Sequence, residues 1–317
     1  MDISYLLFLQ DFRNSIHDAW TPFLEGVSLF AVTYLPLLPA FIYWCVNKRK
    51  GLFTLAALNI CIAVNAVLKL TACVYRPWIR DPRILPAGDA IHTATGYSFP
   101  SGHTTTATPI YGGMAIGFWD NKKTKWLAVI CVLAILVTGF SRNYLGVHTP
   151  QDVIVGLLLG SGVLWLTWKL FAYVEKHPEQ ETKLLIGGMI FAIAALFYIT
   201  FKPYPTDYVD GKLLVDPQRM MNDGYKDIGA LLAFCVARFV EKRWIKFQAV
   251  GLTVKGVILS IIGFLPMIWM IKSLSGILVG WTGPHFGRML SQSLIVFYVV
   301  AFYPFILKCF SNKAKSK

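Results

Sequence analysis

Residues 126–174 read WLAVICVLAILVTGF, then SRNYLGVHTPQD, then VIVGLLLGSGVLWLTWKLFAYV. Two long apolar segments therefore enclose a short polar one, residues 141–152, which carries an arginine, a histidine and an aspartate. A helix needs about 20 apolar residues to cross the roughly 30 Å hydrocarbon core of a bilayer. The pattern predicts two membrane helices, joined by a loop whose charged groups lie at the membrane surface.

The composition extends this pattern to the whole chain. Of its 317 residues, 56% are hydrophobic and 15% are charged, whereas a soluble domain typically has about 45–50% apolar and about 25% charged residues. These values exclude a water-soluble globule and a disordered chain. We predict an all-α, polytopic integral membrane helix bundle with about nine transmembrane helices, near residues 22–46, 52–71, 103–119, 126–141, 151–174, 184–201, 227–245, 254–273 and 289–309.

Residues 1–21 precede the first predicted span and carry an apolar repeat of their own. Tyr5, Phe8, Leu9 and Phe12 recur at three- and four-residue steps. Such spacing predicts an amphipathic helix that lies in the membrane interface. An irregular leader is the alternative interpretation.

The net charge of +13 would indicate a nucleic-acid partner in a soluble protein. In a membrane protein, Lys and Arg instead collect in the cytoplasmic loops. With nine helices and an outer N-terminus, 18 of the 30 basic residues lie on the inner side, in 48–50, 122–125, 169–183, 238–255 and 308–317. This bias places 69–102, 141–150, 202–226 and 274–288 on one extracytoplasmic face, and no nucleic acid is expected as a partner.

Three clusters on that face carry chemically useful residues: Lys69-x6-Arg76-Pro77, Pro100-Ser101-Gly102-His103, and Ser141-Arg142-x5-His148-x3-Asp152. Each has a structural explanation when taken alone. Lys and Arg anchor membrane helices at the interface, Ser caps helix N-termini, and Thr149-Pro150-Gln151-Asp152 is typical of a helix start. Their joint occurrence on one face favours a functional site.

The residue types in these clusters share one chemistry. Arginine matches the oxygens of a phosphate group, lysine adds a point charge, and a helix N-terminus offers N–H groups to an anion. Of two histidines, one can attack phosphorus while the other protonates a leaving oxygen. No metal site is expected, because this face has no cluster of carboxylates or paired histidines. The six cysteines lie in or beside apolar segments and are interpreted as packing residues.

The three clusters resemble the signature of the type 2 phosphatidic acid phosphatase superfamily, whose members share an active site with the vanadium haloperoxidases. The family pattern, K-x6-RP, PSGH and SR-x5-H-x3-D, is present without a substitution. The resemblance covers residues 52–174. Nine helices with an outer N-terminus would further resemble the glucose-6-phosphatase and sphingosine-phosphate phosphatase type.

The resemblance implies a role for each residue. His148 would be the nucleophile that forms a phosphohistidine, Asp152 would orient its ring, and His103 would be the general acid and then the base. The phosphoryl oxygens would be held by Lys69, Arg76, Ser101, Gly102 and Arg142. No cofactor is expected.

Other residues on this face have two interpretations. Arg80 and Arg83 would contact a substrate headgroup or anchor the 76–102 loop at the interface. The segments 202–226 and 280–288 would cover the site, and His285 within the latter is interpreted as structural.

The predicted organisation is an amphipathic interfacial helix at 1–21, a catalytic phosphatase core at 22–174, additional transmembrane helices at 175–310 and a basic cytoplasmic tail at 311–317. We expect a metal-independent phosphatase that hydrolyses a phospholipid, sphingoid or polyprenyl phosphate or pyrophosphate on the extracytoplasmic face. Its partners would be this substrate and membrane lipids, and the oligomeric state is left open. The alternatives are a sugar-phosphate phosphatase of the glucose-6-phosphatase type, a lipid phosphotransferase and a non-catalytic lipid transporter.

Overall fold

The computed structural model describes residues 2–94, 96–119, 122–209 and 211–315, without the side chains of residues 93 and 311–315. Within these ranges the chain is helical apart from one antiparallel ribbon, β1 (Tyr208–Val209) and β2 (Lys212–Leu213). The helices are α1 (Asp2–Ser15), α2 (Thr21–Thr33), α3 (Leu37–Phe41), α4 (Lys48–Ala72), α5 (Pro77–Arg80), α6 (Ala90–Thr93), α7 (Gly102–Trp119), α8 (Lys125–Tyr144), α9 (Pro150–Lys176), α10 (Glu181–Phe201), α11 (Pro217–Val240), α12 (Val254–Trp269), α13 (Ser275–Thr282), α14 (Pro284–Phe297) and α15 (Tyr303–Lys315). Short π-helical turns at Ile42–Val46, Glu241–Ile245, Met270–Leu274 and Tyr298–Phe302 and a 3₁₀ turn at Pro178–Gln180 link or extend them.

Six segments in the described part of the chain are long and apolar enough to cross a membrane: Lys48–Arg80, Lys125–Tyr144, Pro150–Lys176, Pro178–Phe201, Val254–Thr282 and Pro284–Phe310. A seventh results if Thr21–Thr33 and Leu37–Val46, which are bent by 45°, form one span. Large side chains on these helices are exposed, such as Leu158 (67%), Phe201 (77%) and Leu265 (65%). Such extensive apolar exposure is expected where lipid replaces water around the protein.

The described part of the chain has fewer candidate spans than the nine predicted from the sequence. The segments near 103–119 and 227–245 are too polar to count as candidate membrane spans. In α7 the side chains of Thr104, Thr105 and Thr108 are buried and hydrogen-bonded inside the protein, as where Thr108 Oγ1 donates to the carbonyl of Thr104 at 2.8 Å. A helix whose polar groups are satisfied by protein does not need an apolar surface. In α11 the charged residues Asp223, Lys226 and Asp227 interrupt the apolar pattern.

Residues Asp2–Ser15 form helix α1, within the segment 1–21 that was predicted to be helical. Leu6, Leu9 and Arg13 are the buried residues of α1, whereas Phe8 is 66% exposed. The guanidinium of Arg13 is buried because it donates to the carbonyls of Leu85 (2.9 Å) and Tyr144 (3.4 Å). The interfacial location of α1 stays a prediction.

The chain forms two compact units, of which the first contains Met1–Pro36, Val64–Trp165 and Lys202–Met220. In it, α7 and α8 pack side by side and α2 packs on both. Gly156 and Gly160 let α9 approach α7, since a Cβ atom at Gly160 would lie 2.6 Å from Cβ of Thr108. The start of α7 and the first turn of α9 are consequently adjacent, and the Ser101 amide donates to the Asp152 carbonyl at 2.9 Å.

The second unit contains Leu37–Ala63, Leu166–Phe201 and Met221–Lys317. Its buried aromatic residues are tied to the chain near α15: Trp44 Nε1 donates to the carbonyl of Val299 at 2.8 Å and Tyr43 to that of Val300 at 3.1 Å. It also holds a group of charges, Lys48, Glu181, Arg238, Glu241 and Lys242, which we call the Glu241 cluster.

The two units interleave along the chain, whereas the segments predicted from sequence, 22–174 and 175–310, are consecutive. The functional assignments of those segments stay predictions. In the predicted basic tail at 311–317, residues 316–317 and all side chains lie outside the described residues.

Candidate active site

Helix ends of the first unit bring the predicted site residues together. Lys69 is in the last turn of α4, Ser101-Gly102-His103 open α7, and Arg142 is in the last turn of α8. His148 lies in the short connection to α9, whose first turn carries Asp152. We call the set the His148 cluster: Lys69, Arg76, Ser101, Gly102, His103, Arg142, His148 and Asp152. Its side chains are largely buried, and Arg142 and His148 are each only 1% exposed.

The ring of His148 is held at both nitrogens. Nδ1 lies 3.2 Å from Oδ2 of Asp152, and Nε2 lies 2.9 Å from Nη1 of Arg76. Because a guanidinium can only donate, Nε2 must accept, which assigns the ring proton to Nδ1. Burial, together with the positive charges of Arg76, Arg142 and Lys69, lowers the pKa of His148 well below its ordinary value. The ring is therefore neutral, with its lone pair on Nε2.

Asp152 has two tasks in the structure. Its Oδ2 accepts from Nδ1 of His148, from the Thr149 amide at 2.8 Å and from the hydroxyl of Ser98. The Asp152 amide in turn faces Oγ1 of Thr149 at 3.4 Å. This reciprocal arrangement caps α9, so Asp152 both stabilises the helix start and orients the histidine ring.

Lys69 and Arg76 tie the loops of the site together. Nζ of Lys69 donates to the carbonyls of Tyr97 (3.1 Å), Ser98 (3.2 Å) and Pro100 (2.7 Å), which anchors the turn before α7. Arg76 donates from Nε to the carbonyl of Gly96 at 3.1 Å and from Nη1 to that of Val147 at 2.9 Å. Direct contact of Lys69 with a phosphate group would therefore exchange one of its carbonyl bonds.

Within the described part of the chain, Arg142 and His103 have nitrogens without a hydrogen-bond partner, in contrast to Lys69 and Arg76. Nη1 of Arg142 donates to the hydroxyl of Ser28. Neither Nε nor Nη2 of Arg142, nor Nε2 of His103, has a hydrogen-bond partner among the residues that the structure describes. Nearly all buried polar groups in proteins are hydrogen-bonded, so these three nitrogens mark a place where a ligand would supply the missing hydrogen-bond partners.

The surroundings of these nitrogens favour an anion. His103 lies within electrostatic range of Arg142, Arg76 and Lys69. The carboxylates that act on these cations in the described part of the chain are Asp152, bonded to His148, and Glu25, which accepts from the Asp89 amide at 2.7 Å. A Cβ atom added to Gly102 would meet nothing within 4 Å, so the N-terminus of α7 is open to close approach.

Arg80 and Arg83 each pair with a carboxylate of the first unit. Arg80 Nη2 lies 2.7 Å from Asp2, and Arg83 Nη2 lies 2.7 Å from Asp81. The side-chain hydrogen bond from Arg83 lowers the pKa of Asp81 to about 2. These pairings fit the interpretation of both arginines as loop anchors, and a role at a substrate headgroup stays a prediction.

The two segments predicted to cover the site, 202–226 and 280–288, have different surroundings in the structure. Asp207 accepts from the hydroxyl of Tyr75 at 2.6 Å, and Lys202 donates to the carbonyl of Leu70 at 2.7 Å. These bonds hold 202–209 beside the end of α4. His285 belongs to the second unit, where Nδ1 lies 2.5 Å from Oδ1 of Asn222 and the ring stacks on Tyr225.

Three supporting residues were not predicted from the sequence. Ser98 bonds to Asp152, Asn143 donates to the carbonyl of His148 at 2.9 Å, and Ser28 holds Arg142. Ser98 and Asn143 lie within two residues of the motifs, which could have marked them. Ser28 lies in α2, far from every motif in sequence, so no local signal identifies it.

Comparison with known proteins places these residues in a family. The family model of the PAP2 superfamily matches residues 50–176, which include all members of the His148 cluster. No solved structure gives a significant match.

Several curated proteins are similar to the chain. A probable sphingosine-1-phosphate phosphatase of Dictyostelium discoideum is 27% identical over 212 residues, which cover 63% of this chain and 50% of that protein. An undecaprenyl-diphosphatase of Sulfolobus acidocaldarius is 26% identical over 45% of this chain and 69% of its own length. Phosphatidylglycerophosphatase B of Escherichia coli is 38% identical over 28% of this chain and 37% of its own. The match thus spans half of the first of these relatives and about a third of the last.

Proposed function

Residues 50–176 belong to the PAP2 superfamily, and on this premise we propose that the protein is a membrane phosphatase that hydrolyses a lipid phosphate without a metal ion. One observation carries the proposal. The guanidinium of Arg142 is almost fully buried, yet two of its nitrogens have no hydrogen-bond partner among the described residues. A phosphoryl group would supply the missing negative charge and the missing acceptors.

The nucleophile in this mechanism is Nε2 of His148. Its lone pair attacks phosphorus, the bond from phosphorus to the leaving oxygen breaks, and a phosphohistidine forms. The proton on Nδ1 stays on the ring, where the carboxylate of Asp152 stabilises the positive charge that develops. The bond from Arg76 to Nε2 is exchanged for a bond to a phosphoryl oxygen.

His103 completes the proton balance. When protonated it donates to the leaving alkoxide, which departs as an alcohol. The neutral ring then accepts a proton from water as the water oxygen attacks phosphorus and the bond to His148 breaks. Inorganic phosphate leaves, and both histidines return to their starting states.

The remaining groups bind the phosphoryl oxygens. Phosphoryl transfer depends mainly on positioning and on stabilising negative charge. We assign this role to Arg76 and Arg142, to the hydroxyl of Ser101 and the amide of Gly102 at the start of α7, and to Lys69, which also fixes that turn.

A lipid is the favoured substrate class. The names of the similar proteins all describe phosphatases of lipids, namely a sphingoid phosphate, a polyprenyl diphosphate and a phosphatidylglycerophosphate. The site also lies at the ends of candidate membrane spans, where a headgroup can enter while its tail remains in the bilayer. We further propose that the site faces the extracytoplasmic side, which is the side that the distribution of Lys and Arg indicates for a nine-span topology.

The test uses the purified full chain in detergent with EDTA. Release of free phosphate is measured from phosphatidic acid, a sphingoid phosphate, a polyprenyl diphosphate and glucose 6-phosphate. We expect release from at least one lipid, inhibition by vanadate, and loss of release in His148→Ala. No release from any lipid, or release that survives His148→Ala, would overturn the proposal. Preference for glucose 6-phosphate over every lipid would favour the sugar-phosphate alternative.

A further inference from the structure

A large cavity lies in the second unit, whereas the chemistry described above belongs to the first. It has a volume of about 850 Å³, and none of its lining residues belongs to the His148 cluster. This volume lies toward the upper end of the range for small-molecule pockets. All of its walls belong to α4, α9, α10 and α11 and to their connections.

The charged groups of the cavity lie where these helices begin or end. Lys48 and Arg49 are in the first turn of α4, Glu175 in the last turn of α9 and Glu181 in the first turn of α10. They are joined across the helices by ion pairs, such as Arg49 to Glu175 at 2.6 Å. The cavity therefore has one charged end.

Apart from Thr167, the walls beyond this end are apolar or carry only glycine and cysteine. Leu52, Ala56 and Ile60 lie on one face of α4, opposite side chains such as Phe171 and Leu185. From Arg49 to Ile60 the lining follows α4 for about 16 Å, at 1.5 Å per residue. That length is about half of the roughly 30 Å hydrocarbon core, and so matches the acyl region of one leaflet.

The cavity opens sideways along α10. Gly187 lines it and has nothing within 4 Å of an added Cβ atom. The neighbouring lining residues Leu184 and Phe191 are 37% and 43% exposed. A ligand can therefore enter the cavity from the bilayer, and its apolar part can then pack along the apolar wall.

The exposed charged residues of the cavity indicate the kind of lipid headgroup that fits it. Arg49 and Glu175 are the two most accessible charged residues of the lining, with side-chain exposures of 61% and 59%. An exposed ion pair contributes little to stability, so this one can open to accept a ligand. A headgroup with both a phosphate and an ammonium satisfies both partners, whereas a purely anionic headgroup would face Glu175 with like charge.

We propose that this cavity binds one phospholipid with a zwitterionic headgroup as a resident, unreacted ligand. Its phosphate contacts Arg49, and its ammonium contacts Glu175. One acyl chain packs along Leu52, Ala56 and Ile60. The site holds no part of the catalytic machinery, so this inference stands apart from the proposed phosphatase activity.

The test is native mass spectrometry of the delipidated full chain in detergent, titrated with dioleoyl phosphatidylethanolamine. Gly187→Phe fills the cavity from its open side. Gly280→Phe is the matched control, because Gly280 is also an exposed helix glycine with nothing within 4 Å but does not line the cavity. We expect one bound lipid in the wild type and the control, and binding weaker by at least about tenfold in Gly187→Phe. Absence of saturable binding by the wild type, or equal binding by the two variants, would overturn the proposal.

The headgroup assignment has its own comparison. The double variant Arg49→Gln with Glu175→Gln should bind phosphatidylethanolamine less tightly, and should lose the preference of the wild type over phosphatidylglycerol. Tighter binding of phosphatidylglycerol by the wild type would overturn the zwitterionic assignment. Size-exclusion profiles and unchanged phosphate release establish that the variants are folded, and lipid binding is measured without turnover.

Discussion

The two buried groups of charge in this protein are built on opposite principles. In the Glu241 cluster, Arg238 contacts Glu181 at 2.7 Å and also Glu241, which in turn lies 2.7 Å from Lys48. In the His148 cluster, Arg142 is more deeply buried. Among the described residues it forms no ion pair within 4 Å, and two of its nitrogens have no hydrogen-bond partner. Uncompensated buried charge is costly. The ion pairs of the first cluster are therefore complete as folded, whereas we propose that an anion completes the second.

The largest effect is expected when one carboxylate of each cluster is replaced by an amide. Asp152→Asn should lower kcat by about 10³–10⁴, because the amide no longer holds the reactive tautomer or stabilises the charged ring. Glu241→Gln should leave kcat of the folded protein unchanged, but lower the free energy of unfolding by about 3 kcal/mol, since Lys48 and Arg238 lose their buried partner. Phosphate release and thermal unfolding are measured on both. Equal rate losses in the two variants would contradict the contrast.

Because Asp152 also caps α9, its variant needs a separate control. Thr149→Ala removes the hydroxyl that faces the Asp152 amide but keeps the carboxylate beside His148. We expect it to lower stability by about 1 kcal/mol with little effect on kcat. A rate loss as large as that of Asp152→Asn would assign the effect to the helix start.

The arginines give the next largest difference. Arg142→Gln should lower kcat by about 10²–10³, because donors for the developing negative charge are lost, while the unfolding free energy changes little. Arg238→Gln should do the reverse, with an intact rate and a loss of about 3 kcal/mol in stability. A large loss of stability in Arg142→Gln, with an unchanged rate, would show that Arg142 is structural.

Buried serines provide a smaller comparison. Ser28→Ala removes the acceptor of Arg142 Nη1, which we expect to lower kcat/KM about fivefold, as for one hydrogen bond of about 1 kcal/mol. Ser260 is equally buried but bonds only to the carbonyl of Gly256 at 2.9 Å. Phosphate-release kinetics of Ser260→Ala should match those of the wild type, and a similar loss in both variants would exclude a specific role of Ser28.

The smallest effect concerns pH. The lowered pKa of His148 keeps it neutral when folded, whereas the unfolded chain binds a proton below its ordinary pKa of about 6.5. Its contribution to stability is thus present above that pH and is lost as the pH falls. The thermal midpoint of the wild type should fall more from about pH 7 to about pH 5 than that of His148→Gln. His177→Gln, at an exposed histidine, should follow the wild type, and parallel curves for all three would contradict a buried neutral His148.

Much of the fold and site could be predicted from the sequence because the relevant signals are local. Long apolar segments mark spans such as α8 and α9, and the motif spacing identifies the residues that helix ends bring around His148. The match of residues 50–176 to the PAP2 family model covers the same part of the chain.

The remaining features depend on tertiary contacts. The span count fails at α7, because its threonines are satisfied inside the protein and leave the helix too polar for a hydropathy argument. The use of Lys69 as an anchor of three carbonyls follows from the path of residues 97–100, which no motif encodes. Ser28 reaches Arg142 across 114 positions of sequence.

The covalent intermediate is the most direct test of the central claim, that the buried cations of the His148 cluster bind a phosphoryl group for a histidine nucleophile. The wild type is quenched during turnover of a lipid phosphate that it hydrolyses, and the phosphoryl group is located by mass spectrometry of the peptide that contains residues 141–152. We predict an acid-labile phosphoryl group on His148 that is absent from His148→Ala. A phosphoryl group on another residue, or turnover by His148→Ala, would contradict the account.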